Sequence, residues 1–417
     1  MSLRRLCVLV VALLLPSSLW AFEVVGTIKK VDADKRVAEV FAGGRDRTVK
    51  IDANAKILDE AGKELADGLK AKELKEGAVV TLTVEPVAGE PTIRGIQLGA
   101  RRGAPGAKAR GGPPPGPFIP REKTGMKPLT EMSADDKYAG EDGGLYGGGK
   151  NDPPAALRTA AEKETARIVP LDAAGKPAKD GRVVLVSISM SNATQEFSTF
   201  KRIADAEPRK SPLLTIVDCA QGGQAMAEWA PPDARPWEEA MRRIKLSGVT
   251  PEQVQIAWVK LANKGPRGEL KQHGKQLEVD TQAVLQNAKK RFPNLRIAYL
   301  GSRIYGGYAT GGLNPEPQAY EGAFVVRWLI QDQLKGNAEL NFDAARGPVK
   351  SPLLLWGPYF WADGTTPRQS DKLVWLREDL SGDGVHPSDS GRQKVAKMLL
   401  EFFAADPLAK RWFVKQD

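Results

Sequence analysis

GRVVLVSISMSNATQEF, Gly181 to Phe197, passes from an apolar run into a turn rich in serine and asparagine and then into a helical pattern. A continuous apolar run, here Val183 to Ile188, is what a strand covered on both faces requires, as in a parallel sheet. Four more runs follow: LLTIVD (Leu213 to Asp218), VQIAWV (Val254 to Val259), RIAYLG (Arg296 to Gly301) and PLLLW (Pro352 to Trp356). Helical patterns lie between them, in the stretch after Ser191, in PWEEAMRRI (Pro236 to Ile244), in VDTQAVLQNAKKRF (Val279 to Phe292) and in YEGAFVVRWLIQDQLKG (Tyr320 to Gly336). The alternation predicts a doubly wound, five-stranded parallel sheet between helices, an α/β/α sandwich of flavodoxin-like type, over residues 155–417. No repeat of fixed period argues for a solenoid instead.

The remainder of the 417 residues divides into shorter pieces. Arg4 and Arg5 precede the apolar run Leu6 to Leu15, and the next six residues end on Ala21. That order marks residues 1–21 as a secretory signal peptide, because the run is shorter than the roughly 20 residues a spanning helix needs. The mature chain is then expected to start near Phe22 and to be periplasmic or secreted. Removing the leader takes Cys7 with it, leaves Cys219 alone and excludes an internal disulfide. Cys219 reads as a buried small apolar residue.

Residues 22–100 carry short strand-like runs, FEVVGTI, RVAEVF, TVKI, VVTLTVE and TIRGIQL, which predict a small β-barrel-like module. The module is similar to the small OB-like barrels of bacterial envelope proteins. Residues 101–154 read as a Gly/Pro/Arg-rich linker, with RRGAPGAKARGGPPPGPFIPR (Arg101 to Arg121) as its most basic part. GGLYGGGKNDPP, Gly143 to Pro154, does not follow a strand as a phosphate loop would, so no nucleotide site is expected. In an exported chain the net charge of +10 points to an anionic envelope surface as partner, and no nucleic acid is expected.

Ligands of open α/β sheets bind beyond the carboxyl ends of the strands. Ser191 follows the first run, and DCAQGGQ (Asp218 to Gln224) leads out of the second. GDGVHPSDSGRQKVAKMLLEFF, Gly382 to Phe403, holds His386, with Asp383 three residues before it. That spacing lets the carboxylate fix one imidazole nitrogen and free the other as a base. Ser388 or Asp389 can cap a helix whose Val395, Met398, Leu399, Phe402 and Phe403 recur at helical spacing.

A serine after the first strand, glycines after the second and Asp383-Gly384-Val385-His386-Pro387 before the last helix resemble the SGNH (GDSL-like) hydrolase family over Val183 to Phe403. Met190-Ser191-Asn192 is similar to the Gly-Gln-Ser-Asn motif of the family's carbohydrate acetylesterases. The resemblance implies Ser191 as nucleophile, His386 as general base and Asp383 as its orienting partner. Backbone N–H groups of Ser191 and of Gly222 or Gly223 are candidate oxyanion donors. Asn192, Arg303 and Tyr305 are candidates for substrate binding, the last two within GSRIYGGYATGG (Gly301 to Gly312), which also fits a long surface loop.

Two departures stand out: Ser189-Met190-Ser191 replaces Gly-Asp-Ser, and no Gly-x-Asn-Asp follows the third run, leaving Asn263 as a poorly placed substitute. His273, in the charged ELKQHGKQ, is expected in a solvated loop. No metal motif is present, and neither metal nor cofactor is expected. The expected activity is removal of acyl groups, acetyl among them, from a carbohydrate or other small envelope-associated ester. The alternative is a non-catalytic envelope or glycan-binding protein that keeps the SGNH-like fold while its incomplete oxyanion hole has lost activity; taken alone, Ser191 also fits a turn serine that caps the next helix.

Overall fold

The computed structural model describes residues 22–42, 45–59, 62–87, 90–99 and 118–415. The leader expected over residues 1–21 and the part of the linker from Arg101 to Pro117 lie outside the described residues. The chain divides into two compact units, Met1–Gly111 and Gly112–Asp417.

The first unit is a closed barrel of five strands: β1 (Phe22–Asp32), β2 (Val37–Ala42), β3 (Arg45–Leu58), β4 (Val79–Val87) and β5 (Glu90–Leu98). The strands follow one another around it as β1-β2-β3-β5-β4, and β1 pairs β4 to close the ring. Alternate residues turn inward, so Ile28, Val40, Ile51, Val80, Leu82, Ile93 and Ile96 fill the interior. Closure removes the free sheet edges that five short strands would otherwise expose.

The second unit is built on strands β6 (Val183–Ile188), β7 (Leu214–Val217), β8 (Val254–Lys260), β9 (Ile297–Gly301) and β10 (Leu353–Trp356), which match the five apolar runs. All neighbouring pairs are parallel, in the order β7-β6-β8-β9-β10. The chain steps outward from β6 to β7 and then crosses back to β8, so a crevice is expected between the carboxyl ends of β6 and β8. The helices are α1 (Ala155–Thr165), α2 (Ser191–Asp205), α3 (Met226–Trp229), α4 (Arg235–Leu246), α5 (Leu270–Arg291), α6 (Gln318–Leu334), α7 (Asp389–Ala405) and α8 (Lys410–Phe413). Phe197 of α2 stacks on Trp258 of β8 at 5.4 Å between ring centroids, and Phe403 of α7 meets Tyr299 of β9 edge-on at 5.5 Å. These contacts hold α2 and α7 on the sheet beside the strand ends that matter for chemistry.

Two expectations are corrected. Residues 118–154 were expected to end the linker, but they pack on the sheet unit, with Leu129 and Met132 buried in its core. Asp363 accepts hydrogen bonds from Thr124 N (2.7 Å), Thr124 Oγ1 (2.6 Å) and Gly125 N (2.8 Å). Buried Arg327 of α6 pairs with Glu141 and Asp142 at 2.5 and 3.0 Å. The glycines permit close approach here: a Cβ on Gly143 would lie 1.9 Å from the Met132 carbonyl oxygen. His273, expected in a solvated loop, lies in the first turns of α5, which starts nine residues before the stretch Val279 to Phe292. It is buried, and its Nε2 is 2.5 Å from Glu321 of α6.

Candidate active site

Of the three serines in SISMS, two are committed to structure. Ser187, fully buried, donates to Asp218 Oδ1 at 2.6 Å and accepts from the N–H groups of Cys219 and Ala220 at 3.0 Å each. Ser189 is also buried, and its hydroxyl donates to the Lys260 carbonyl. Ser191 is the first residue of α2, where its N–H has no carbonyl of a preceding turn to bond. Its Oγ is 2.7 Å from His386 Nε2.

His386 lies in the loop between β10 and α7. Its Nδ1 is 2.5 Å from Asp383 Oδ2, and Asp383 Oδ1 accepts the N–H groups of Val385 and His386 at 3.0 Å each. Partial burial works against the Asp383 charge. The His386 hydrogen bond and the two backbone donors outweigh it and hold the carboxyl well below the usual carboxylate range. An ionised Asp383 assigns the proton to Nδ1 and leaves the Nε2 lone pair for the serine hydroxyl.

The loop is held from several sides. Gly384 has φ +67°, and a Cβ there would stand 1.8 Å from the Tyr308 carbonyl oxygen, so only glycine fits. Thr310 N donates to the Asp383 carbonyl at 3.0 Å, and Arg377 Nη1 donates to the Leu380 and Ser381 carbonyls at 3.1 and 2.8 Å. Beyond it, the Ser388 hydroxyl caps α7 by accepting from Gly391 N, and Val395, Leu399 and Phe403 bury one face of that helix.

The candidate oxyanion donors sit on the loop after β7. Gly222 and Gly223 are exposed, and a Cβ on either would meet nothing within 4 Å. Gln221 N donates to the Ser189 carbonyl at 2.9 Å, which ties this loop to the turn that carries Ser191. Arg243 supports it from α4 through the carbonyls of Asp218 and Ala220, at 3.0 and 2.9 Å. Asn263 is engaged at both ends of its amide: Oδ1 accepts from Ala227 N at 2.9 Å and Nδ2 donates to Asp280 at 2.6 Å.

The three residues expected to bind substrate are placed differently. Asn192 is 1% exposed, and its Nδ2 donates to the Val385 carbonyl at 2.8 Å, so it grips the loop that carries His386. Tyr305 is buried, and its hydroxyl donates to the Arg121 carbonyl at 2.8 Å. Arg303 is also buried. All three side chains are buried.

Sequence reasoning missed the Lys260–Glu196 ion pair beneath the site, with both side chains at 0% exposure and a closest approach of 2.5 Å. Its signal was a lysine directly after the apolar run VQIAWV and a glutamate one position before Phe197. Among the described residues no group of three or more His, Cys, Asp or Glu is arranged to hold a metal ion. Free Cys219 is buried, and burial pushes its thiol up, away from the thiolate.

No family model and no curated protein matches the chain. Among solved structures, it is similar at 10% identity to a GDSL-like lipase from Bacteroides thetaiotaomicron, over 59% of this chain and 95% of that one, with a TM-score of 0.29. A protein from Arabidopsis thaliana aligns at 13% identity over 50% of this chain and 66% of its own, with a TM-score of 0.28. Apo-CusF from Escherichia coli aligns at 10% identity over 22% of this chain and 100% of its own, with a TM-score of 0.17. At such scores the fold and chemistry of this chain rest on its own sheet order and side-chain geometry.

Proposed function

We propose that the chain is a serine esterase that removes short acyl groups, acetyl among them, from a carbohydrate or other small ester. The observation that carries this reading is the continuous array from Ser191 Oγ to His386 Nε2 and from His386 Nδ1 to Asp383, at 2.7 and 2.5 Å. The strand order β7-β6-β8-β9-β10 supports the finer reading of a doubly wound, flavodoxin-like sandwich, with Ser191 directly after β6.

On this mechanism Ser191 Oγ attacks the acyl carbon while its proton moves to His386 Nε2, and ionised Asp383 stabilises the imidazolium. The oxyanion is met by the N–H groups of Ser191 and of Gly222 or Gly223, the Asn263 amide being engaged elsewhere. The bond to the leaving alcohol then breaks, and the alcohol oxygen takes the proton from Nε2. Water, deprotonated by His386, attacks the acyl-serine, and its collapse releases the acid and restores the hydroxyl.

Purified protein should hydrolyse a chromogenic acetyl ester with saturation kinetics. Absence of turnover across a range of pH, together with absence of covalent capture by an electrophilic phosphonate, would shift the assignment to a non-catalytic glycan-binding protein. Export is part of the same proposal, motivated by the charged, apolar and small-residue order of the first 21 residues. N-terminal sequencing of protein recovered from the cell envelope should begin near Phe22, and an intact Met1 there would count against cleavage.

A further inference from the structure

Arg303 follows β9 by two residues, is 2% exposed and has no carboxylate within salt-bridge distance among the described residues. Burial pushes its guanidinium down to about 10, while Glu196, Glu316 and Asp383 pull the other way without touching it. Such a group is costly to bury, so what it does touch is informative. Nη1 lies 3.8 Å from Met190 Sδ, and Nη2 lies 3.4 Å from the Val385 carbonyl oxygen. Met190 immediately precedes Ser191, and Val385 immediately precedes His386.

We propose that Arg303 is a positioning residue whose guanidinium fork keeps the turn carrying Ser191 and the loop carrying His386 in register. Both contacts are long, so neither contributes much energy by itself; the planar fork acts by geometry, reaching both segments at once from the end of β9. Asn192 grips the same Val385 carbonyl from the first turn of α2, so the loop is held from α2 on one side and from the end of β9 on the other. Without Arg303 the Asn192 bond becomes a pivot, and a displacement of about 1 Å between nucleophile and base is enough to cost on the order of 100-fold in rate. The effect on rate rests on the esterase reading, whereas the effect on the His386 loop rests on geometry alone.

The test compares Arg303→Met and Arg303→Lys with the wild type, using a chromogenic acetyl ester and proton NMR of the low-field imidazole region. In Arg303→Met, kcat should fall about tenfold to 100-fold with KM within about twofold, as lost alignment predicts. Arg303→Lys keeps the charge, reaches only one of the two segments, and should fall between them. His386 and His273 are the two histidines of the chain, so His273, bonded to Glu321, provides an internal reference. The proton shared by His386 and Asp383 should shift or broaden in Arg303→Met, while that of His273 keeps its position. The proposal is overturned by an unchanged kcat, by a raised KM at unchanged kcat, or by equal loss of both imidazole signals. If Arg303→Met does not fold, Arg303→Lys supplies the same readings. If the wild type turns over no ester, the esterase reading fails separately, and an unmoved His386 signal would still refute positioning.

Discussion

Ser191→Ala and His386→Ala are each expected to abolish phosphonate capture and to lower kcat on an acetyl ester by on the order of 10⁴-fold or more. The magnitude follows from the way the array works as a unit. Without the hydroxyl there is no atom to acylate, and without the imidazole the hydroxyl proton has no acceptor within reach. Neither change should unfold the protein, since Ser191 and His386 are both partly exposed and neither fills the core. The double variant should therefore lose little more activity than either single one. Asp383→Asn is expected to weaken capture without abolishing it, because an amide can donate to Nδ1 and hold the wrong tautomer. Ser187→Ala and Ser189→Ala should leave the capture site at Ser191, since both hydroxyls are bonded inside the protein. Capture at either of those serines, or undiminished turnover by His386→Ala, would contradict the assigned roles.

The parts of this arrangement that could be foreseen share a physical character. β6 to β10 were legible because strands buried on both faces must be apolar throughout, and α7 because one face of it repeats at helical spacing. Asp383 and His386 were legible as a pair because they lie three residues apart in one loop, so local geometry alone brings them together. Their approach to Ser191 joins residues 195 positions apart, and no spacing rule encodes such a contact. The same holds for Arg303, whose contacts lie 113 and 82 positions away and whose glycine-rich run fitted a site-lining segment and a long surface loop alike. The glycines of residues 143–149 misled for a related reason: glycine signals freedom in an unpacked chain, but it is also the residue that lets two backbones touch. His273 misled because its charged neighbours describe the exposed face of α5, while the residue itself turns toward α6.

Lys260→Met is expected to lower the unfolding free energy by about 3–5 kcal/mol, the usual cost of leaving one member of a buried ion pair alone. Lys260 ends β8, and its Nζ lies 2.7 and 2.5 Å from the two Glu196 oxygens, with the Phe360 ring 5.3 Å away. Burial pushes its ammonium down to about 8 even with the Glu196 carboxylate against it, so its surroundings do little to solvate a charge. Removing the ammonium leaves a carboxylate at 0% exposure without its hydrogen-bonded counter-charge. Glu196 also sits five residues after Ser191 on α2, so any adjustment that relieves it moves the helix that carries Ser191. Loss of stability should therefore be accompanied by loss of turnover in the protein that remains folded. Lys260→Met combined with Glu196→Leu removes both charges and should recover most of the lost stability, because a buried pair contributes little net energy compared with well-packed apolar side chains. Urea unfolding of the single and double variants measures both quantities. A single variant that unfolds within about 1 kcal/mol of the wild type would show that water reaches Glu196 and that the pair is not sealed between α2 and β8.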